Sequence, residues 1–279
     1  WYFASFNRNK RSIVLDLRKE EAKAVLAKLL ETADVLVENF RPGVLAEMGF
    51  DAARLEAINP RLVVASINGY GSSGPYVDRP AFDFIAQAMS GFMATTGEPG
   101  GHPMRTALPI TDLVAGLYCA FGIVNALRAR DLTGRGQRVE SAMVNGTVSM
   151  LAYLASEYLA TGKEPERTGN DHPIIAPYSL YSTKGGDIAV APATKEILER
   201  FMGALGLAHM LKQPEYDTPQ KRHARRDEHR PPGHRRIVVE AALDHRRHGR
   251  LGRQPVYPDL VKSGGVSRYA ARAYVTRFG

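Results

Sequence analysis

Two carboxylates stand out among the residues of this 279-residue chain that could do chemistry. Asp112 follows Pro109-Ile110-Thr111 at the head of a long apolar stretch, and Asp83 follows Arg79-Pro80-Ala81-Phe82. A carboxylate can serve as base, as nucleophile or as the anchor of a helix start. Local pattern alone gives Asp112 the last of these roles, an acid complementing the helix dipole. Nothing in the spacing fixes the separation of Asp83 from Asp112, so the sequence does not make them a pair. The one cysteine, Cys119, lies on the apolar stretch with no neighbour to stabilise a thiolate, and reads as a small buried residue. Gly134-Arg135-Gly136 lacks the GxxxxGK(S/T) spacing of a phosphate-cradling loop and reads as a turn.

The elements that must hold these residues centre on Met104–Asn145. That stretch opens with a proline-marked turn and runs into a long apolar helix. It breaks at Thr133-Gly134-Arg135-Gly136-Gln137 and resumes as an alternating segment, Arg138–Met143. Upstream, Trp1–Asn7 reads as an extended lead-in, and Arg11–Leu17 alternates as a short strand. Glu20–Thr32 sets apolar residues at helical spacing opposite charges. Val35–Val37 is a short buried strand leading into Glu38-Asn39-Phe40-Arg41-Pro42-Gly43, where an open parallel sheet presents its ligand edge. Val44–Met48 and Ala52–Ile58 read as short helices, the second ended by Asn59-Pro60. Leu62–Ile67 is a strand buried on both faces, followed by a glycine-rich loop, Asn68–Pro75. Phe82–Thr95 returns to helix with an interruption at Gly91. Glu98–Pro103 is a flexible connection, and Val144–Ala160 continues as helix.

Short buried strands alternating with helices predict an α/β fold with a parallel sheet. Thr161–His172 is polar and reads as a linker. Ile174–Pro192 reads as two strands joined through Thr183–Asp187, a hairpin, and Lys195–Gly206 as an amphipathic helix. The expected organisation is a large domain over 1–145, a helical linker over 146–172, a smaller α+β domain starting over 173–216, and an aberrant basic tail over 217–279.

Hydrophobic content of 44% and charged content of 24% are ordinary for a soluble protein. No apolar run approaches the ~20 residues of a membrane span and no signal peptide is visible. A single cysteine leaves no internal disulfide and suits a reducing cytoplasm. The net charge of +8 invites nucleic acid as a partner, but its distribution argues otherwise. Lys221–Arg253 holds eleven Lys/Arg against four Asp/Glu, and five of the eight histidines, so the rest is nearly neutral. Neither a nucleic-acid nor a membrane partner is expected. After Tyr216 periodicity is poor and Pro231-Pro232-Gly233 breaks any helix. An altered reading frame is the leading explanation of that tail, ahead of a solvated basic arm. The first residue is Trp inside a recognisable block, which reads as a fragment without its natural start.

Taken together, several blocks resemble the class III CoA-transferase family, the CaiB/BaiF group that includes formyl-CoA transferase. They are N-R-N-K-R-S-I-V-L-D-L-R, D-V-L-V-E-N-F-R-P-G, I-N-P-R-L-V-V-A-S-I-N-G-Y-G, T-D-L-V-A-G-L-Y and T-G-R-G-Q-R-V, with S-A-M after the last. They occur in the family's order over roughly Trp1 to Leu205. The resemblance implies a Rossmann-like large domain, a smaller domain and an interlocked-ring homodimer. It implies that Asp112 is the catalytic aspartate, and that coenzyme A or acyl-CoA is a substrate with no permanently bound cofactor and no metal. The family's CoA-binding pattern maps onto Leu15 and Arg18, onto Asn39, Phe40 and Arg41, and onto Arg79, Phe82 and Asp83. Arg18, Arg41 and Arg79 are then candidates for the CoA phosphates, with Phe40 and Leu15 packing on adenine or the pantetheine arm. Singly, each arginine reads as a solvated charge. Asn9, Lys10 and Arg11 fit a structural turn as well as a binding role.

The implied activity is transfer of CoA from an acyl thioester to a carboxylic acid through aspartyl anhydride and aspartyl-CoA thioester intermediates on Asp112. A helix first turn is expected to keep that carboxylate ionised and to offer N–H donors to oxyanions. Two departures bear on specificity. The related α-methylacyl-CoA racemases use a histidine where this chain has Phe82, which favours transfer over racemisation. Formyl-CoA transferases often carry a basic residue where this chain has Glu47, so the resemblance fixes neither formate nor oxalate as substrate. The alternatives are a racemase-like enzyme on the same platform, and a non-catalytic CoA- or nucleic-acid-binding protein.

Overall fold

The structure is a computed structural model that describes residues 1–183 and 186–226. The chain divides into two compact units, Trp1–Gly97 with His102–Pro165, and Glu98–Gly101 with the chain from Glu166 onward. The expectations for the tail beyond residue 226 lie outside the described residues.

In the first unit the elements run α1 (Tyr2–Phe6), α2 (Glu20–Leu30), β1 (Val35–Glu38), α3 (Val44–Glu47), α4 (Ala52–Ile58), β2 (Val63–Asn68) and α5 (Asp83–Met89). A 3-10 turn follows at Met93–Thr95, then α6 (Ile110–Thr133), β3 (Arg138–Ala142), α7 (Met143–Met150) and α8 (Tyr153–Thr161). The three strands form one parallel sheet in the order β1-β2-β3, with Val35 opposite Val63 and Val64 opposite Arg138. This is the mixed α/β architecture with a parallel sheet that the alternating pattern predicts.

Side-chain alternation along the strands gives the sheet two different faces. On one, Leu36 and Val64 pack with Leu30, Phe50, Leu55 and Leu62 beneath α2, α3 and α4. On the other, Ile67 meets Ala86, Ala115, Met143 and Val144 of α5, α6 and α7. Asp51 caps α4 by accepting from the Arg54 N–H at 2.8 Å, and Asn59 closes it by donating to the Leu30 and Ala33 carbonyls, both at 3.0 Å. Gly134 ends α6 in the left-handed region at φ 76°, with its N–H on the Arg130 carbonyl.

Four sequence expectations need correction. Trp1–Asn7 is not extended: Asn7 places both its backbone N–H and its side-chain amide on the Phe3 carbonyl and closes a short helix. Arg11–Leu17 forms no strand. Ile13 is 62% and Val14 95% exposed, and alternation makes a strand only where a partner completes the ladder. The helix expected over Val144–Ala160 is two helices, broken where Ala152 takes φ 48°. The first packs Met143, Gly146 and Thr147 inward, whereas α8 buries no residue, so one continuous helix had nothing to hold it. Finally, α6 is 24 residues long with an 18-residue window of mean hydropathy 1.6, enough by length and composition to cross a membrane. In this fold Val114, Ala115, Cys119 and Ala126 are buried, and its contacts are with β2, β3, α5 and α7.

In the second unit β4 (Ser179–Thr183) and β5 (Gly186–Val190) pair antiparallel as the expected hairpin, followed by α9 (Lys195–Ala204), a 3-10 turn at Ala208–Lys212 and α10 (Pro219–Ala224). Thr194 caps α9 and Thr218 caps α10. Asp171, 9% exposed, accepts from the Ser179 hydroxyl and lies 3.9 Å from Arg226.

Candidate active site

The direction of α6 decides where Asp112 lies. The Ser141 hydroxyl, near the end of β3, donates to the Ala115 carbonyl at 2.9 Å. Further along, a Cβ on Gly122 would press on Val139, earlier in the same strand. At the far end of α6, Arg130 reaches Asp34 and the Arg61 carbonyl, both of which precede strands. The helix therefore runs antiparallel to the sheet, and its first turn stands at the carboxyl edge, where open parallel sheets place their ligands.

Asp112 is the third residue of α6 and is exposed. Partial desolvation, and after it the negative charge of Asp83, push its carboxyl above the usual carboxylate range. The shift is opposite in sign to the one that helix N–H groups alone would give an anion. Two of those donors are committed elsewhere, the Ile110 N–H to the Leu108 carbonyl at 2.8 Å and the Thr111 N–H to Asp83 Oδ1 at 3.0 Å.

Asp83 opens α5, and its side chain joins the starts of two helices. Its Oδ1 also accepts from the Thr111 hydroxyl at 2.9 Å, and its Oδ2 from Gln87 Nε2 at 2.7 Å. Gln87 Oε1 in turn accepts from the Thr106 N–H at 3.0 Å. Asp83 and Asp112 are thus brought within electrostatic reach of each other, which their sequence spacing did not show.

The other expected residues fall in three places. Phe40 and Arg41 line a cleft of about 420 Å³ with Ser66, Asn68, Arg135 and Arg138, on the sheet face opposite α6. Phe40, 40% exposed, is pinned through its N–H to Glu38 Oε2 at 2.7 Å, and Asn39 beside it is exposed. At the cleft edge Arg135 pairs with Glu56. Arg79 lies 4.6 Å over the Tyr76 ring, in the loop before α5, and Phe82 is 77% exposed at the α5 cap. Leu15 is half-buried, and Arg18 pairs with Asp16 through two contacts of 2.8 and 3.0 Å, outside the cleft.

Several groups that shape this edge went unnoticed in the sequence. Gln87 and Thr111 are fully buried. Glu140 accepts from Asn68 Nδ2 at 2.9 Å and from the Ser72 hydroxyl at 2.9 Å, while Asn68 Oδ1 takes the Gly71 N–H at 2.6 Å. Burial raises the Glu140 pKa, but these hydrogen bonds outweigh it and hold the carboxyl below its ordinary value. The glycine loop is thereby tied to β3. Gly69 belongs to this packing, since a Cβ there would overlap that of Ala81. A signal for Gln87 was available, because Asp83 and Gln87 are four residues apart and share one helix face.

Comparison with known proteins places the chain in a family. The model of CoA-transferase family III matches residues 1–243. The chain is 35% identical over 268 residues to an acetyl-CoA:oxalate CoA-transferase of Acetobacter aceti, covering 95% of this chain and 65% of that protein. It is 38% identical over 227 residues to a succinate–glutarate CoA-transferase of Agrobacterium fabrum, covering 81% and 57%. The crystal structure of a CaiB/BaiF family protein from Brucella suis superposes with a TM-score of 0.70 at 39% identity, over 81% of this chain and 60% of that one. The chain thus spans 57–65% of the length of these two curated relatives. A family match over most of its residues, together with that fold, shows that the chain belongs to CoA-transferase family III.

Proposed function

We propose that this chain forms the catalytic part of an acyl-CoA:carboxylate CoA-transferase with Asp112 as nucleophile. The observation that carries this reading is an exposed carboxylate at the carboxyl edge of the parallel sheet, beside Asp83, in a chain of this family. Asp112 attacks the donor thioester carbonyl, and CoA leaves as thiolate from a mixed anhydride. The thiolate attacks the aspartyl carbonyl and releases the donor acid, leaving an aspartyl-CoA thioester. The acceptor carboxylate attacks that thioester, re-forming an anhydride and free thiolate. The thiolate then takes the acceptor acyl group and restores Asp112. Every step exchanges acyl groups of similar activation, so the sequence needs no ATP.

Asp83 gives the first step a driving element. Its negative charge opposes ionised Asp112, and that repulsion disappears when Asp112 becomes an uncharged anhydride or thioester. CoA is held along the cleft by Arg41 and Phe40, with Asn39, Arg79, Phe82 and Leu15 as further contacts, and Arg18 reaches a phosphate by exchanging its Asp16 partner. Surface ion pairs of that kind are weak enough to yield. Oxalate, succinate and glutarate, named for relatives, are the first acids to test as donors and acceptors. A homodimer in a reducing cytoplasm completes the proposal. The dimer is supported by the exposed apolar residues of α6.

Isotope exchange tests the reaction. Labelled carboxylic acid should enter acyl-CoA without net hydrolysis in the native protein and at background rate in Asp112→Ala. Hydrolysis without exchange would overturn the proposal.

A further inference from the structure

We infer that Gln87 is a positioning residue for the nucleophile, fixing the Thr106–Thr111 segment directly and, through Asp83, the first turn of α6. This rests on Asp112 being the nucleophile. Gln87 is 0% exposed and sits next to Ala86, whose apolar cluster includes Ala115 and Met143. A leucine or methionine would fill a similar volume without burying an amide, which is costly unless every polar atom finds a partner.

Here each one does, and the partners lie on two different segments. Oε1 accepts from the Thr106 N–H at 3.0 Å; Nε2 donates to Asp83 Oδ2 at 2.7 Å and reaches the Leu108 carbonyl at 3.4 Å. Asp83 then uses its other oxygen on the N–H and hydroxyl of Thr111, the residue before Asp112. Every contact from Thr106 to Thr111 joins a donor to an acceptor with the Gln87 amide in this one orientation and both Asp83 oxygens accepting.

The segment so held has no regular structure of its own. It passes through Pro109 at φ −74°, ψ 69°, and Thr106 folds its hydroxyl back onto the Leu108 carbonyl at 2.8 Å. Side-chain anchors must therefore set where α6 begins. Misplacing a reacting group by about 1 Å costs on the order of 100-fold in rate. The titratable members of the network are Asp83 on the same helix as Gln87 and Asp112 on α6; the 106–108 segment contributes backbone groups and the Thr106 hydroxyl.

The test compares Gln87→Leu and Gln87→Glu with the native protein, measuring single-turnover acylation of Asp112 against pH, KM for acyl-CoA, and a thermal melt. Gln87→Leu is expected to lose about 10- to 100-fold in acylation rate while KM stays within about threefold. Gln87→Glu sets a second carboxyl against Asp83 and donates to it only when protonated, so its rate relative to the native protein at the same pH should recover as pH falls. That acid-side recovery should be absent from Gln87→Leu. A purely structural role would lower the melting temperature of both variants and leave the rate per folded molecule and its pH profile unchanged, which would overturn the inference. Should Gln87→Leu fail to fold, the pH profile of Gln87→Glu decides alone, recovery supporting the inference and a native profile overturning it. Acylation of native Asp112 with both variants reacting at native rate sinks Gln87 alone. Absence of any native adduct at Asp112 sinks the nucleophile assignment and this inference with it.

Discussion

Asp112 and Asp83 are like charges brought to one corner of the sheet by the starts of two helices, and the consequence is thermodynamic as well as chemical. The native carboxyl of Asp112 has a higher pKa than the unfolded one, so the folded state binds its proton more tightly. The stability this contributes is fully present below the unfolded pKa and is lost as pH rises through the native one. At neutral pH the ionised group is a standing cost. Asp112→Asn should therefore melt at a higher temperature than the parent at pH 7, by under about 1 kcal/mol because the residue is exposed and screened. The gain should vanish once pH falls below the ordinary carboxylate range. The same variant should lose transfer by at least about 1,000-fold. Melts across pH, paired with exchange assays, check both. A stabilisation unchanged at acid pH would mean that packing, not charge, is responsible.

At the scale of elements, close approach of backbones matters most where α6 turns into β3. Gly136 donates its N–H to the Pro60 carbonyl at 2.9 Å, and a Cβ there would overlap the Leu62 carbonyl, so Gly136→Ala should destabilise by about 1–3 kcal/mol in urea melts. What the sequence made legible follows from locality. The helix over Glu20–Leu30 shows its apolar spacing, β1 and β2 show short β-branched runs beside turn residues, and β3 shows an alternating segment after a glycine turn, so their kind and order were readable. Arg11–Leu17 was misread because a strand needs a partner that alternation does not reveal. The break at Ala152 was invisible because it depends on which helix finds something to pack against. Asp112 and the Asn39–Arg41 loop stand out as candidates through motif order. The Thr106–Gln87–Asp83–Thr111 chain and the tie from Glu140 to the glycine loop were not, since both join residues distant in sequence.

For the whole molecule, the outer side of α6 is the feature that asks for a partner. Leu117, Phe121 and Val124 recur at helical spacing and are 70%, 69% and 65% exposed. A contiguous apolar stripe of that kind marks an interaction surface more often than bare solvent contact. If a second copy covers it, sedimentation velocity should show a dimer, and Phe121→Glu should shift the species to monomer while leaving its circular dichroism native. A native protein that sediments as a monomer at micromolar concentration, with the stripe intact, would remove the homodimer from the account.

In the proposed reaction Asp112 carries the acyl group and then CoA. Its most direct test is to incubate the protein with acetyl-, succinyl- and glutaryl-CoA, trap with hydroxylamine or borohydride, and map the modified peptide by mass spectrometry. Modification is expected at Asp112, dependent on the acyl donor and lost in Asp112→Ala. Donor turnover with the label on another residue, or with Asp112 unmodified, would contradict it.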